Sequence, residues 1–213
     1  MRSPRQGKDH GAAPRSRRVK IGSGAAVVAA VAGLALSACG SSKPAASQSA
    51  PAAPPTVHTY LTLATGGMVH NKTGAAEGPK FIPGDFTLPA GAKVVLTIYS
   101  YDDGSASFAS ASSPYLKVTG GTETVNGSPV TSVSNQDISH TLTIAALGLN
   151  IPIPVSPAHG STEYTPEVVQ FTFTAPAAGT YTWQCFAPCG SGSAGLGGAM
   201  ATDGYMKGTV TVA

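Results

Sequence analysis

Two cysteines, one methionine and one histidine in the second half of the chain are of the types that bind soft metal ions. Cys185 and Cys189 have three residues between them, Met206 begins the last apolar segment, and His140 lies well upstream. Thiolate, thioether and imidazole groups are the ligands that copper prefers. These side chains therefore predict a copper site, if the fold brings them together.

The cysteine pair also permits a different interpretation. In an exported protein, two cysteines in one short loop form either a disulfide or a protected metal site. A disulfide would occupy both thiols and abolish the copper site. We favour the metal, because a structural disulfide does not account for the glutamine before Cys185, the glycine after Cys189 or the histidine strand upstream.

The segments that must position these side chains have the pattern of β-strands. Short runs of alternating or β-branched residues lie between turns rich in Gly, Pro, Asn and Asp, and no long stretch repeats apolar residues at helical spacing. This predicts an all-β sandwich or barrel. The predicted strands are Val57–Leu63, Lys93–Tyr99, Tyr115–Val118, His140–Ala145, Val168–Phe173, Thr180–Cys185 and Met206–Val212.

The beginning of the chain has the composition of an export signal. A basic segment precedes an apolar run of small residues, which ends in a cysteine as bacterial lipoprotein signals do. We predict a signal peptide over 1–38, a lipidated Cys39 in a Ser-, Ala- and Pro-rich linker over 39–56, and one folded domain over 57–213. The domain is then held by lipid on the outer face of the cell membrane. An uncleaved membrane anchor is the alternative, and an arginine pair hints at twin-arginine export.

Loss of the signal would reverse the net charge of the chain. The full sequence has a formal charge of +3, but residues 39–213 carry six lysines, no arginine and nine acidic residues, which gives −3. We expect no nucleic-acid partner, because that binding requires clustered cations. The sequence contains no nucleophile–base constellation and no phosphate-binding loop, so we do not expect the domain to be an enzyme by itself.

Two stretches of the sequence resemble copper proteins. Pro83–Gly91, before a β-branched strand, resembles the opening of a cupredoxin. A stronger resemblance, over roughly Phe81–Val212, is to the copper-bearing domain of cytochrome c oxidase subunit II. It rests on His140 at the start of a strand, on the Gly179–Cys185 segment with its Tyr and Gln, and on Cys189 followed by Gly.

This resemblance implies a cupredoxin-like Greek-key β-sandwich with a mononuclear or dinuclear copper site. Cys185 and Cys189 match the thiolates that bridge the metal in the family, and His140 matches an imidazole ligand. Met206 matches the thioether ligand, and Met200 is its competitor.

The sequence departs from the family at Asp203, which stands where the family has its second histidine. A carboxylate is a hard ligand and a poor match for Cu(I). Three arrangements stay open. Asp203 coordinates, His159 takes the place of the missing histidine, or the site is mononuclear and uses His140, both thiolates and Met206.

The resemblance also implies electron transfer linked to respiration, with a cytochrome or a terminal oxidase as the redox partner. Two alternatives stay open. The first is a copper carrier or assembly factor for an oxidase, which the missing histidine and the glycine-rich segment after Gly190 would suit. The second is a metal-free cupredoxin-fold binding domain with a Cys185–Cys189 disulfide.

Overall fold

A computed structural model of the chain describes residues 53–69, 78–158, 164–190 and 195–213. These residues form eleven β-strands in two sheets, with three short 3-10 helices and no α-helix. The predicted all-β sandwich is therefore confirmed. None of these residues forms a helix with the length and apolar character needed to cross a membrane. The predicted signal peptide, Cys39 and His159 lie outside the described residues.

The strands are divided between a six-stranded and a five-stranded sheet. The first has the strand order β2-β1-β4-β9-β5-β6, and the second has the order β3-β11-β10-β7-β8. The strands are β1 (Thr56–Ala64), β2 (Lys80–Ile82), β3 (Phe86–Leu88), β4 (Lys93–Ser100), β5 (Thr122–Val125), β6 (Ser128–Val130), β7 (Ile138–Ile144), β8 (Leu149–Pro154), β9 (Glu167–Thr174), β10 (Gly179–Gln184) and β11 (Lys207–Val212). The 3-10 helices are Pro114–Leu116, Ala145–Leu147 and Gly198–Ala201.

A single apolar core lies between the sheets. In β9, Val169, Phe171 and Phe173 are buried, while the two residues between them are more exposed. This is the alternation expected of a strand with one face on the core. Trp183 of β10 is fully buried and lies edge-on against Phe81 at 4.9 Å between ring centroids. Its indole N–H donates to the Gly84 carbonyl at 2.7 Å, which satisfies its polar group within the core.

The prediction of a strand over Tyr115–Val118 was wrong. A 3-10 helix occupies Pro114–Leu116 instead, because proline at the first helical position has the required φ and lacks only an N–H that would be unpaired anyway. Five strands were not predicted, namely β2, β3, β5, β6 and β8. Of these, β6 and β8 contain prolines, and both are edge strands, where a missing backbone donor is tolerated.

Strand β7 differs from the others because all seven of its residues are buried. The connection between β4 and β5 contributes to this burial. The Ala106 N–H donates to the Ile138 carbonyl at 2.8 Å, and the buried Asn150 side chain of β8 donates to the carbonyls of Tyr115 and Lys117. We call residues 101–121 the covering segment. Since β7 carries His140, this segment also encloses the candidate site.

One buried side chain of the core carries a carboxyl group. Glu123 of β5 is 2 % exposed, and its cross-strand neighbours are Phe171 and Val130. Neither carboxyl oxygen has a hydrogen-bond partner. Burial raises the pKa of Glu123 from 4.5 to about 8, because the apolar surroundings disfavour the charged form.

We expect Glu123 to make the domain less stable as pH rises from 4.5 to 8. In that interval the folded chain retains a proton that the unfolded chain has released, so stability falls by up to about 1.4 kcal/mol per pH unit and is then constant. Glu123→Leu should raise the free energy of unfolding at pH 8 by up to about 5 kcal/mol and remove this slope. Urea denaturation between pH 4.5 and 9 measures both, with Glu167→Leu at the less buried start of β9 as the control. A Glu123→Leu variant no more stable than the parent at pH 8 would contradict the prediction.

Candidate metal centre

The structure brings His140, Cys185 and Cys189 together. One ligand atom from each, a ring nitrogen and two sulfurs, lies within 4.8 Å of the others. The Cys185 Sγ is 3.9 Å from His140 Nδ1 and 3.4 Å from Cys189 Sγ. Both cysteines are free thiols in this structure. A single metal ion could therefore contact all three side chains with small movements.

His140 is fixed by its strand and by two side chains. The pairing of β7 with β8 shifts register between Ile138 and His140, and such a bulge redirects the side chains that follow it. The imidazole is fully buried, and the Phe81 ring lies edge-on to it at 6.4 Å. Its Nε2 is 2.7 Å from the Asp102 carboxylate, so Nδ1 is the nitrogen that faces the cysteines.

The loop that carries Cys185 is hydrogen-bonded to β7. The Cys185 Sγ accepts the Thr141 N–H at 3.3 Å, and the Phe186 N–H donates to Thr141 Oγ1 at 2.9 Å. The Phe186 ring also stacks on Tyr115 of the covering segment, with 4.4 Å between centroids and a 5° angle between planes. The thiolate position is therefore set by contacts on both sides of the loop.

Cys189 packs against the glycine-rich segment that follows it. Its Sγ is 3.2 Å from the Met200 Sδ, and the Gly190 N–H donates to the Gly195 carbonyl at 2.8 Å. A Cβ at Gly190 would lie 2.0 Å from the Gly197 carbonyl oxygen, so this approach requires glycine. The close packing places a thioether beside the second thiol.

The protonation states of the three side chains depend on each other. Burial alone would raise the pKa of the Cys185 thiol, but hydrogen bonds from Cys189 and His140 and the charge of the imidazolium hold it well below its usual value. Burial disfavours the imidazolium, yet the hydrogen bonds to Asp102 and Cys185 dominate and raise the His140 pKa to about 9. The hydrogen bond to Cys185, together with burial, raises the pKa of Cys189. These shifts favour the charged forms of His140 and Cys185 and the neutral form of Cys189.

The other predicted ligands have different surroundings. Met206 is fully buried, and its backbone carbonyl accepts the Cys185 N–H at 2.8 Å. The contact between a thioether and a cysteine sulfur is made by Met200. The Asp203 carboxylate is 90 % exposed, pairs with Lys207 Nζ at 3.0 Å and is not part of the three-residue group.

Asp102 was not among the predicted site residues. In the sequence, Asp102, Asp103 and Gly104 indicate only a turn after β4. The turn is present, since the Gly104 N–H donates to Asp102 Oδ1 at 3.0 Å. The pairing of an aspartate in one connection with a histidine 38 residues later has no local signal in the sequence.

A cavity of about 240 Å³ opens beside the site and is lined by Asp102, Ser105, Pro188 and Cys189, among others. Cys185 and His140 are fully buried, whereas Cys189 is partly exposed. Solvent therefore approaches the group from the side of Cys189 and Asp102.

No protein-family model and no curated protein matches the sequence. Among solved structures, auracyanin B is 17% identical with a TM-score of 0.34, and the match covers 77% of this chain and 93% of that one. Rusticyanin from Thiobacillus ferrooxidans is 19% identical with a TM-score of 0.30, covering 75% and 79%. A copper nitrite reductase from Nitrosomonas europaea is 15% identical with a TM-score of 0.32, covering 74% and 41%. Matches at these TM-scores do not assign the chain to a family.

The hydrogen bond between the Thr141 hydroxyl and the cysteine loop can be tested by substitution. Thr141→Val should lower the free energy of unfolding by about 1–3 kcal/mol, because it leaves the Phe186 N–H without its acceptor. Thr211→Val makes the same change at an exposed position of β11 and should have little effect. Chemical denaturation of the two variants measures the difference, and equal stabilities would show that the loop does not depend on this bond.

Proposed function

We propose that this chain is a cupredoxin-like copper protein that transfers electrons outside the cytoplasm. The observation that carries the proposal is the convergence of His140 Nδ1 and the sulfurs of Cys185 and Cys189 within 4.8 Å. Imidazole nitrogen and thiolate sulfur are the ligands that copper prefers over hard divalent cations. The thioether of Met200, in contact with Cys189, extends the same donor chemistry. The residues present therefore fit copper.

Copper bound at such a site would supply a one-electron couple between Cu(I) and Cu(II). The chain supports this role by holding its ligands in place before the metal arrives. His140 lies on a fully buried strand, and the Cys185 loop is hydrogen-bonded to that strand through Thr141. Ligands that move little between oxidation states reduce the reorganisation that accompanies electron transfer.

Membrane attachment and a respiratory partner are part of the proposal. They are supported by the sequence around Cys39, which follows an apolar segment as lipidated cysteines do. A lipid anchor and the linker over 39–56 would let the domain reach a membrane-bound cytochrome or terminal oxidase. The net charge of −3 on residues 39–213, which contain no arginine, argues for a partner recognised through protein surfaces and not through nucleic acid.

We propose a mononuclear site as the simplest arrangement. A dinuclear centre like that of oxidase subunit II would need a second imidazole near the cysteines. Asp203, which stands in that sequence position, is exposed and pairs with Lys207. Asp203→Asn is accordingly expected to leave copper binding unchanged.

Copper delivery is the second candidate function, and the surroundings of Cys189 favour it. This thiol is partly exposed beside a cavity, and its neighbour Met200 belongs to the glycine-rich segment. An accessible thiolate and thioether would allow a donor or acceptor protein to exchange Cu(I) directly. An electron carrier does not need such access to its ligands.

Copper titration of the purified protein tests these functions. Intense thiolate-to-Cu(II) absorption bands, a Cu(II) electron paramagnetic resonance signal and reversible redox cycling are expected for electron transfer. Cys185→Ser should abolish the absorption bands, because it removes the sulfur that lies 3.9 Å from His140 Nδ1. Asp203→Asn serves as the control.

Two other results would redirect the proposal. Tight binding of Cu(I) without a stable Cu(II) form would support copper delivery instead. A count of no free thiols together with no copper uptake would contradict both functions and support the disulfide-bonded, metal-free domain.

The identity of the thioether ligand can be tested with a matched pair of variants. Met200→Leu should weaken Cu(I) binding by at least about 10-fold, because Met200 Sδ contacts Cys189. Loss of a group that supports a metal ligand typically lowers metal affinity by about 10–100-fold. Met206→Leu conserves volume at a fully buried site and should change the affinity less. Competition with a chromogenic Cu(I) chelator measures both, and the reverse ranking would identify Met206 as the ligand.

A further inference from the structure

The two ring nitrogens of His140 have different partners. Nε2 lies 2.7 Å from Asp102 Oδ2, and Nδ1 lies 3.9 Å from Cys185 Sγ. The ring is fully buried, so neither nitrogen can exchange its partner for water without movement of the core. The partner of one imidazole nitrogen decides which nitrogen is free to bind a metal ion.

Asp102 is itself held in place from three directions. Its Oδ1 accepts the Gly104 N–H at 3.0 Å, and its backbone carbonyl accepts the Ser156 N–H at 2.9 Å, just beyond β8. Four residues later, the Ala106 N–H donates to the Ile138 carbonyl at 2.8 Å. The carboxylate is therefore fixed to the same strand that carries His140.

The position of Asp102 at the edge of the core suits a carboxylate. Its side chain is 15 % exposed, whereas that of His140 is 1 % exposed. Partial solvation reduces the cost of keeping a charge beside an apolar core. A hydrogen bond between an N–H and a carboxylate is stronger than one between neutral groups.

We propose that Asp102 is a positioning residue of the metal centre. By accepting the Nε2–H of His140, it turns Nδ1 toward the cysteines and makes Nδ1 the position at which a metal ion replaces a proton. The negative charge also makes the imidazole a stronger electron donor, which favours Cu(II) over Cu(I) and lowers the reduction potential. This inference rests on the proposed copper site, since it concerns the orientation of one ligand.

Three variants of the full-length protein separate the hydrogen bond from the charge. Asp102→Ala removes both, and Asp102→Asn keeps an oxygen acceptor but removes the charge. Asp103→Asn removes the charge of the neighbouring, exposed carboxylate as a matched control. Each variant is loaded with Cu(I), and its affinity is measured by competition with a chromogenic chelator. The reduction potential is measured as well, and long-range proton–nitrogen NMR shows which His140 ring nitrogen is protonated.

The parent protein should show a protonated Nε2 and a metal-bound Nδ1. Asp102→Ala should weaken Cu(I) binding by about 10–100-fold, which is the usual effect of losing a carboxylate behind a histidine ligand. It should also raise the reduction potential and change which ring nitrogen of His140 is protonated. Asp102→Asn should give intermediate changes, and Asp103→Asn should match the parent in all three measurements. If Asp102→Ala does not fold, Asp102→Asn decides the outcome.

Unchanged affinity, potential and ring pattern in the Asp102 variants, with copper bound, would overturn this inference and leave the proposed function standing. Equal shifts in Asp102→Asn and Asp103→Asn would also overturn it, because they would show an effect of net charge alone. A parent protein that takes up no copper would overturn both.

Discussion

The candidate site depends on the burial of β7, a strand that is half polar. Burying a polar group costs free energy unless the group has a hydrogen-bond partner. Thr143 of this strand donates to the Asn150 side chain, Thr141 accepts from Phe186, and His140 pairs with Asp102. These partners belong to β8, to the cysteine loop and to the covering segment. The hydrogen bonds of these three side chains therefore assemble three separate parts of the chain around one histidine.

His140 and Cys185 form a buried pair in which each partner favours the charged form of the other. The pKa of Cys185 is lowered and that of His140 is raised, and the two side chains lie 3.9 Å apart in the core. A single buried charge would be costly, whereas an opposed pair with additional hydrogen bonds compensates much of that cost. Asp102 accepts a hydrogen bond from His140, and the Thr141 N–H donates to Cys185 Sγ, so each partner of the pair has such a bond.

Much of this organisation could be predicted from the sequence, because it depends on local patterns. Alternating residues predicted β9 and β10, and the resemblance to copper proteins implied that His140 shares a site with Cys185 and Cys189. The 3-10 helix at Pro114–Leu116 was predicted as part of a strand, because a short apolar run has no periodicity that distinguishes a strand from a helical turn. Asp102 could not be predicted, since its role depends on a contact between connections far apart in sequence. The contact of Met200 with Cys189 likewise depends on how the glycine-rich segment folds back.

The covering segment has a consequence for how such a site can change. Residues 101–121 contain none of the predicted ligands, yet they supply the carboxylate behind His140 and the ring stacked on Phe186. Substitutions there can alter the strength and environment of the ligands while the cysteines and the histidine stay the same. The ligand set and its tuning are thus encoded in different parts of the chain. A designer could adjust the affinity or potential of the bound metal by rebuilding this surface connection and leaving the sandwich intact.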